Sequence, residues 1–211
     1  KTVVFYEDAT GFRAARGFWF LEYLGHKDVH VLDGGMAAWR DAGHPVTTEA
    51  WSMAQGAQDP GPGGTRKIIR SSFASHLETP DEGKIATAGY ILDHLEDPGI
   101  VIHDTRSEGE YFAENVRAAR GGAIPGSRHL EWMDFVGEDG ALLPAKELRT
   151  MVERIGCTAD KEIVPLCQGG YRSAHAYLVY RLLGYPRVRN YLGSWKEWGD
   201  RIDLPIEVPK R

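Results

Sequence analysis

The segment EIVPLCQGGYRSAHAYLVYRLLGYPRVRNYLGSWKEWGD, residues 162–200, decides the fold. Its apolar run at 163–166 is short and continuous, as in a strand buried on both faces of a parallel sheet. Cys167 follows at once, then two glycines, and then the spacing turns helical, with Ala174, Leu178 and Leu182 four apart on one face. Gly184 stands where a left-handed residue closes a helix, and Pro186 forbids its continuation. A second apolar run, 188–192, leads into Gly193 and Trp198. Strand, helix and strand within about 30 residues form a βαβ unit. An α/β protein with a mainly parallel sheet is expected.

Working outward, the chain shifted by 159 residues matches itself without gaps, 3–41 onto 162–200. Nine identities mark the same plan twice: Gly11/Gly170, Arg13/Arg172, Ala15/Ala174, Leu24/Leu183, Gly25/Gly184, Val29/Val188, Gly34/Gly193, Trp39/Trp198 and Asp41/Asp200. The first copy therefore predicts buried strands at 3–6 and 29–32 around a helix closed by Gly25. Phe18, Trp19 and Phe20 read as core on that helix. The offset sets Asp8 opposite Cys167, so the first copy lacks a thiol nucleophile and is expected to frame the site, with Asp8 pairing Arg13. Between the copies, the Gly/Pro-rich 55–64 (QGAQDPGPGG) is the best linker. The division is 1–50 for a first unit, 51–66 for a linker and 67–211 for a second domain. In that domain, 85–95 reads as a helix and 99–104 as a buried strand. A short helix at 107–112 has Ser107 and Glu110 in capping-box spacing, and 145–155 is amphipathic, with Leu148, Val152 and Ile155 on one side.

Composition narrows the function. Among 211 residues, 25 Lys and Arg are set against 30 Asp and Glu, a net charge of −5 that argues against a nucleic-acid or acidic-membrane surface. No apolar run is long enough for a membrane span or a signal segment. Two cysteines make no disulfide framework and no paired zinc ligands, so a reducing, cytoplasmic setting without metal or cofactor is expected. The 25 glycines are well above the usual ~7% and foretell tight turns.

Cys167 carries the chemistry. In an open parallel sheet, ligands bind beyond the carboxyl ends of the strands. A loop curling into a helix N-terminus aims its amides inward as an anion nest, and Gly169 and Gly170 permit the curl. A thiol in that nest, facing the amides of Gln168, Gly169, Gly170, Tyr171 and Ser173 and the charge of Arg172, should ionise below its free pKa of about 8.5. A nucleophile in an anion cradle suits group transfer through a covalent cysteine intermediate. Cys157 sits at a helix end without basic neighbours and reads as inert. His103 and His129 read as packed imidazoles. Trp195 is a candidate pocket wall.

Residues 166–173, the following Ala-rich helix, Leu183-Gly184 and Gly-Ser-Trp-x-x-Trp at 193–198 resemble the active domain of tandem rhodaneses. Asp104-Thr-Arg-Ser-x-x-Glu110-Tyr and Arg120-Gly-Gly-x-Ile-Pro-Gly-Ser127 match that family's two other signatures, with Ala123 where the family usually has His. The resemblance covers residues 85–200, and 1–45 match the second half of the family's inactive first domain. It implies a three-layer α/β/α sulfurtransferase. Cys167 would take sulfane sulfur as a persulfide and pass it to cyanide or a thiol, with Arg172 holding the donor's oxyanion. Asp104, Arg106 and Glu110 would be structural support, with Arg106 and Glu110 as an ion pair. Related phosphatases use a loop one residue longer, which favours sulfur over phosphate. Thiosulfate is the favoured donor and 3-mercaptopyruvate the alternative. The rival classes are a phosphatase or arsenate reductase and a sulfur-carrier module without turnover.

About 100 residues of the second domain precede Cys167, but seven precede Asp8. That asymmetry leads us to expect the C-terminal piece of a tandem protein, packing against a missing N-terminal segment of its own precursor. The alternative is a short form whose first unit caps the second.

Overall fold

The computed structural model describes residues 1–8, 10–48 and 79–211. The linker expected at 51–66 and the expected domain start at residue 67 lie outside the described residues.

The first unit runs β1 (Val3–Phe5), α1 (Phe12–Tyr23), β2 (Val29–Val31) and α2 (Gly35–Asp41). Strands β1 and β2 pair in parallel, Val3 with Val29 and Phe5 with Val31. Gly25 closes α1 at φ 81°, the left-handed value anticipated from its position. The β1 run is not fully buried, since Val4 is 52% and Tyr6 61% exposed. On α1, Trp19 is buried and Phe18 partly so, but Phe20 points to solvent. Period 3.6 puts neighbours 18, 19 and 20 on different faces, so three consecutive aromatics cannot all point inward.

The second unit continues with β3 (Ile85–Ala86), α3 (Ala88–Asp93), β4 (Ile100–Asp104), α4 (Glu108–Tyr111) and β5 (Arg128–His129). Then come α5 (Ala145–Arg154), β6 (Glu162–Leu166), α6 (Arg172–Leu182), β7 (Asn190–Tyr191) and α7 (Ser194–Asp200). The segment read as one helix at 85–95 is a strand and a helix. The Thr87 side chain accepts the Tyr90 N–H and starts α3 there, which frees Ile85 and Ala86 to pair with Asn190 and Tyr191.

β4 lies between β5 and β6, and a parallel bridge from Ile163 to Val188 joins β6 to the segment entering β7. Among the described residues the named strands all pair in parallel, with isolated antiparallel bridges only at Ala123–Glu207 and Val136–Leu142. Alternation along β4 and β6 sends side chains to opposite faces. Val101 and Ile163 pack with α5, α6 and Trp19 of α1, whereas Ile102, Val164 and Leu166 pack with α3 and α7. Helices therefore cover both faces, in the expected three layers. The first unit locks onto the second along α1 and α6, where Glu22 pairs with Arg181 at 3.0 Å and also accepts from the Tyr177 hydroxyl.

Candidate active site

Cys167 directly follows β6, at the carboxyl end of the sheet. Its backbone is fixed from below by the start of α7. The Cys167 N–H donates to Ser194 Oγ at 3.1 Å, the Cys167 carbonyl accepts from the Trp195 N–H at 2.8 Å, and the Gln168 carbonyl accepts from the Lys196 N–H at 3.0 Å. Ser194 adopts φ 54° to make this junction. The loop then turns at Gly170, φ 83°, where a Cβ would come within 2.8 Å of the Leu192 carbonyl. That glycine is dictated by both conformation and space. Gly169, by contrast, does not take a positive φ.

The curl aims amides at the sulfur. The Gly170 N–H points at Cys167 Sγ from 3.1 Å, at the N-terminus of α6. Burial alone would push the thiol up. The Ser173 amide, the Arg172 charge and the Gly169 amide outweigh burial and hold the pKa below its ordinary value. Cys157 shows the opposite balance, being fully buried and pushed up to about 11 chiefly by desolvation. The two thiols of the chain are thus shifted in opposite directions by their surroundings.

The ion pairs differ from expectation. Arg106 does not meet Glu110. It is buried on Asp104, which accepts at 2.6 Å from Nη2 and also takes the Arg106 N–H at 3.0 Å. The same guanidinium donates to the Gly122 carbonyl and lies 4.4 Å from the Trp195 ring centroid. Glu110 instead grips Arg172 through two bonds, of 2.6 and 2.9 Å, and receives Arg117 at 3.2 Å while closing the capping box with Ser107. Both terminal nitrogens of Arg172 are therefore engaged by a carboxylate rather than standing free over the loop. Asp104 bonds two residues along its own chain, and Glu110, a full helical turn past Arg106, reaches the helix whose first residue is Arg172.

Trp195 is also placed differently. It is 1% exposed, donates from Nε1 to the Arg120 carbonyl and supports the loop from beneath instead of walling an opening. Tyr171 is exposed, Ser173 is buried, and Gln168 Nε2 donates to the Arg117 carbonyl. His103 is held between the Leu130 carbonyl and the Tyr180 hydroxyl, and His129 bonds the Arg106 carbonyl.

In the first unit, Asp8 is exposed and Glu7 pairs with Arg13. Glu7 Oε1 accepts the N–H groups of Arg13 at 2.7 Å and Ala14 at 3.2 Å, so a carboxylate fills the nest at the start of α1. The gap-free alignment hid this, because the longer side chain reaches the amides from one position earlier. Residue-by-residue reading also missed Ser194 and Arg16. The signal for Ser194 was its place in the Gly-Ser-Trp turn; for Arg16 there was none, since it reaches the second unit only through the fold.

Comparison with known proteins decides the family. The sequence model described as the rhodanese-like domain matches residues 1–42 and 87–201. The chain belongs to the rhodanese-like family. It is 38% identical to the sulfur carrier protein TtuD of Thermus thermophilus, over 97% of this chain and 70% of that protein. It is 37% identical to the thiosulfate sulfurtransferase of Azotobacter vinelandii, over 97% of this chain and 69% of that protein. An anaerobic ergothioneine biosynthesis enzyme from Chlorobium limicola, solved with trimethyl histidine, superposes with a TM-score of 0.79 at 23% identity. That match covers 100% of this chain but 52% of the solved one, so the rhodanese-like chain spans about half the length of its structural neighbour. With these relatives, the chain is a sulfurtransferase.

The Glu110–Arg172 pair makes a pH prediction. Burial would raise the Glu110 carboxyl, but the bonds and charge of Arg172, with help from Ser107, lower it to about 2 from the ordinary 4.5. A lowered folded value stabilises the protein above about pH 4.5, and that contribution fades as pH falls from there toward 2. Urea unfolding midpoints followed from pH 6 to pH 2 should show a steeper acid loss for the native protein than for Glu110→Gln. Parallel curves would mean that the pair does not couple to folding.

Proposed function

We propose that the protein moves sulfane sulfur from thiosulfate to cyanide or a thiol through a persulfide on Cys167. The observation that carries this reading is a fully buried thiol whose pKa is nevertheless lowered, by amides converging on Sγ. In the first step the Cys167 thiolate attacks the outer sulfur of thiosulfate. The S–S bond of the donor breaks, sulfite leaves with the electron pair, and the enzyme holds Cys167–S–S⁻. In this reading the amides of Gly169, Gly170 and Ser173, which face Cys167 Sγ, hold that terminal sulfur. In the second step cyanide or a thiolate attacks the outer sulfur. Thiocyanate or a new persulfide departs, and the Cys167 thiolate is restored. No redox cofactor enters this balance.

Asp104, Arg106 and Glu110 act as positioning residues in this reading, fixing the backbone under the loop and the guanidinium of Arg172. The loop of four residues between Cys167 and Arg172 favours sulfur over a tetrahedral phosphate. A second reading, a carrier that is loaded once and discharged within a complex, draws on the similarity to a sulfur carrier protein. Steady-state assays with thiosulfate and with 3-mercaptopyruvate, each with cyanide, separate the possibilities. Turnover with thiosulfate exceeding that with 3-mercaptopyruvate supports the proposal; the reverse order replaces the donor. Stoichiometric loading without turnover supports the carrier.

A further inference from the structure

We infer that Arg16, contributed by the first unit, is the cation that meets the anionic end of the sulfur donor. The inference rests on the sulfur-transfer reading above and names the residue that recognises the donor. Among the described residues, the guanidiniums of the second unit around the loop are spent on carboxylates: Arg106 on Asp104, and Arg172 and Arg117 on Glu110. Arg16 is different. It reaches across from α1, donates from Nη1 to the Gly169 carbonyl at 2.9 Å, and lies 4.0 Å from the ring centroid of the exposed Tyr171. A carboxylate partner for it is absent among the described residues. Its Nη1 is 3.1 Å from where a Gly170 Cβ would stand, on the residue whose N–H points at Cys167 Sγ.

Donor geometry leads to the same residue. A donor such as thiosulfate must put its outer sulfur into the amide cradle, which leaves its anionic group pointing outward past the rim at Gly169. Arg16 sits on that rim with one nitrogen committed to the loop and the rest of the planar fork available to an oxyanion. Stacking on Tyr171 holds the fork in place at little entropic cost. A first unit whose own nest is filled by Glu7 would thereby still serve the chemistry of the second.

The test uses alkylation of Cys167, which needs no turnover. Rates with anionic iodoacetate and neutral iodoacetamide are measured on the native protein, Arg16→Gln and Arg16→Lys, with KM and kcat for thiosulfate alongside. The iodoacetate-to-iodoacetamide ratio should fall about tenfold in Arg16→Gln, the scale of one charge-assisted bond, and recover in part in Arg16→Lys. The KM for thiosulfate should rise with kcat little changed. An unchanged ratio would overturn the inference. So would equal losses with both reagents, because Arg16 would then only brace the loop. A native protein that neither loads nor turns over any donor would defeat the donor reading, while the alkylation ratio would still decide the role of Arg16.

Discussion

Replacing Cys167 with serine should abolish sulfur transfer, with turnover falling by on the order of 10⁴-fold or more. Serine is nearly isosteric, and its hydroxyl can accept the Gly170 N–H that now points at Sγ from 3.1 Å. The loop should therefore stay formed while its nucleophile is lost. Among the described residues the groups bonded at this position are amides and hydroxyls rather than a general base, and the arrangement that lowers a thiol cannot ionise an alcohol at neutral pH. Circular dichroism and unfolding midpoints close to those of the native protein would separate chemical loss from misfolding. Residual turnover near the native value would place the nucleophile elsewhere, and Cys157 is the other cysteine.

Asp104→Asn should produce the largest loss of stability, about 3–5 kcal/mol, the range for breaking a buried ion pair on one side. Asp104 and Arg106 have side chains 0% and 1% exposed, so the carboxylate is the buried guanidinium's counter-charge. An amide in place of the carboxylate leaves the guanidinium in the interior without its counter-ion. Replacing both residues with apolar side chains of similar volume should cost less than the single change, because no charge is then stranded. Urea denaturation of the single and double variants measures this directly. A single variant as stable as the native protein would mean that water reaches Arg106.

The core of this site was legible because its signals are local. An apolar run, a thiol, two glycines and a helical period all fall within 162–182, and each constrains its neighbour in the chain. Gly184 at φ 80° and the capping box of Ser107 and Glu110 were readable for the same reason. What escaped depends on distance. Ile85 and Ala86 form a two-residue strand whose partner is more than a hundred residues away, and so short a segment has no period to detect. The partner of Glu110 is 62 residues along, at Arg172, and nothing local distinguishes it from Arg106. Trp195 has the spacing of a pocket wall, and only the packing of Arg106 on its ring shows that it faces inward. In the first unit, side-chain length decided what register could not: Glu7 reaches the amides of Arg13 and Ala14, and Asp8 faces solvent.

The central claim is a persulfide at one cysteine whose environment was built for it. It is tested most directly by intact mass after incubation with thiosulfate and removal of excess donor, followed by peptide mapping. The account predicts one added sulfur atom per chain, located on the peptide that contains Cys167 and discharged by cyanide. Added sulfur on Cys157, or none on either thiol, would contradict it.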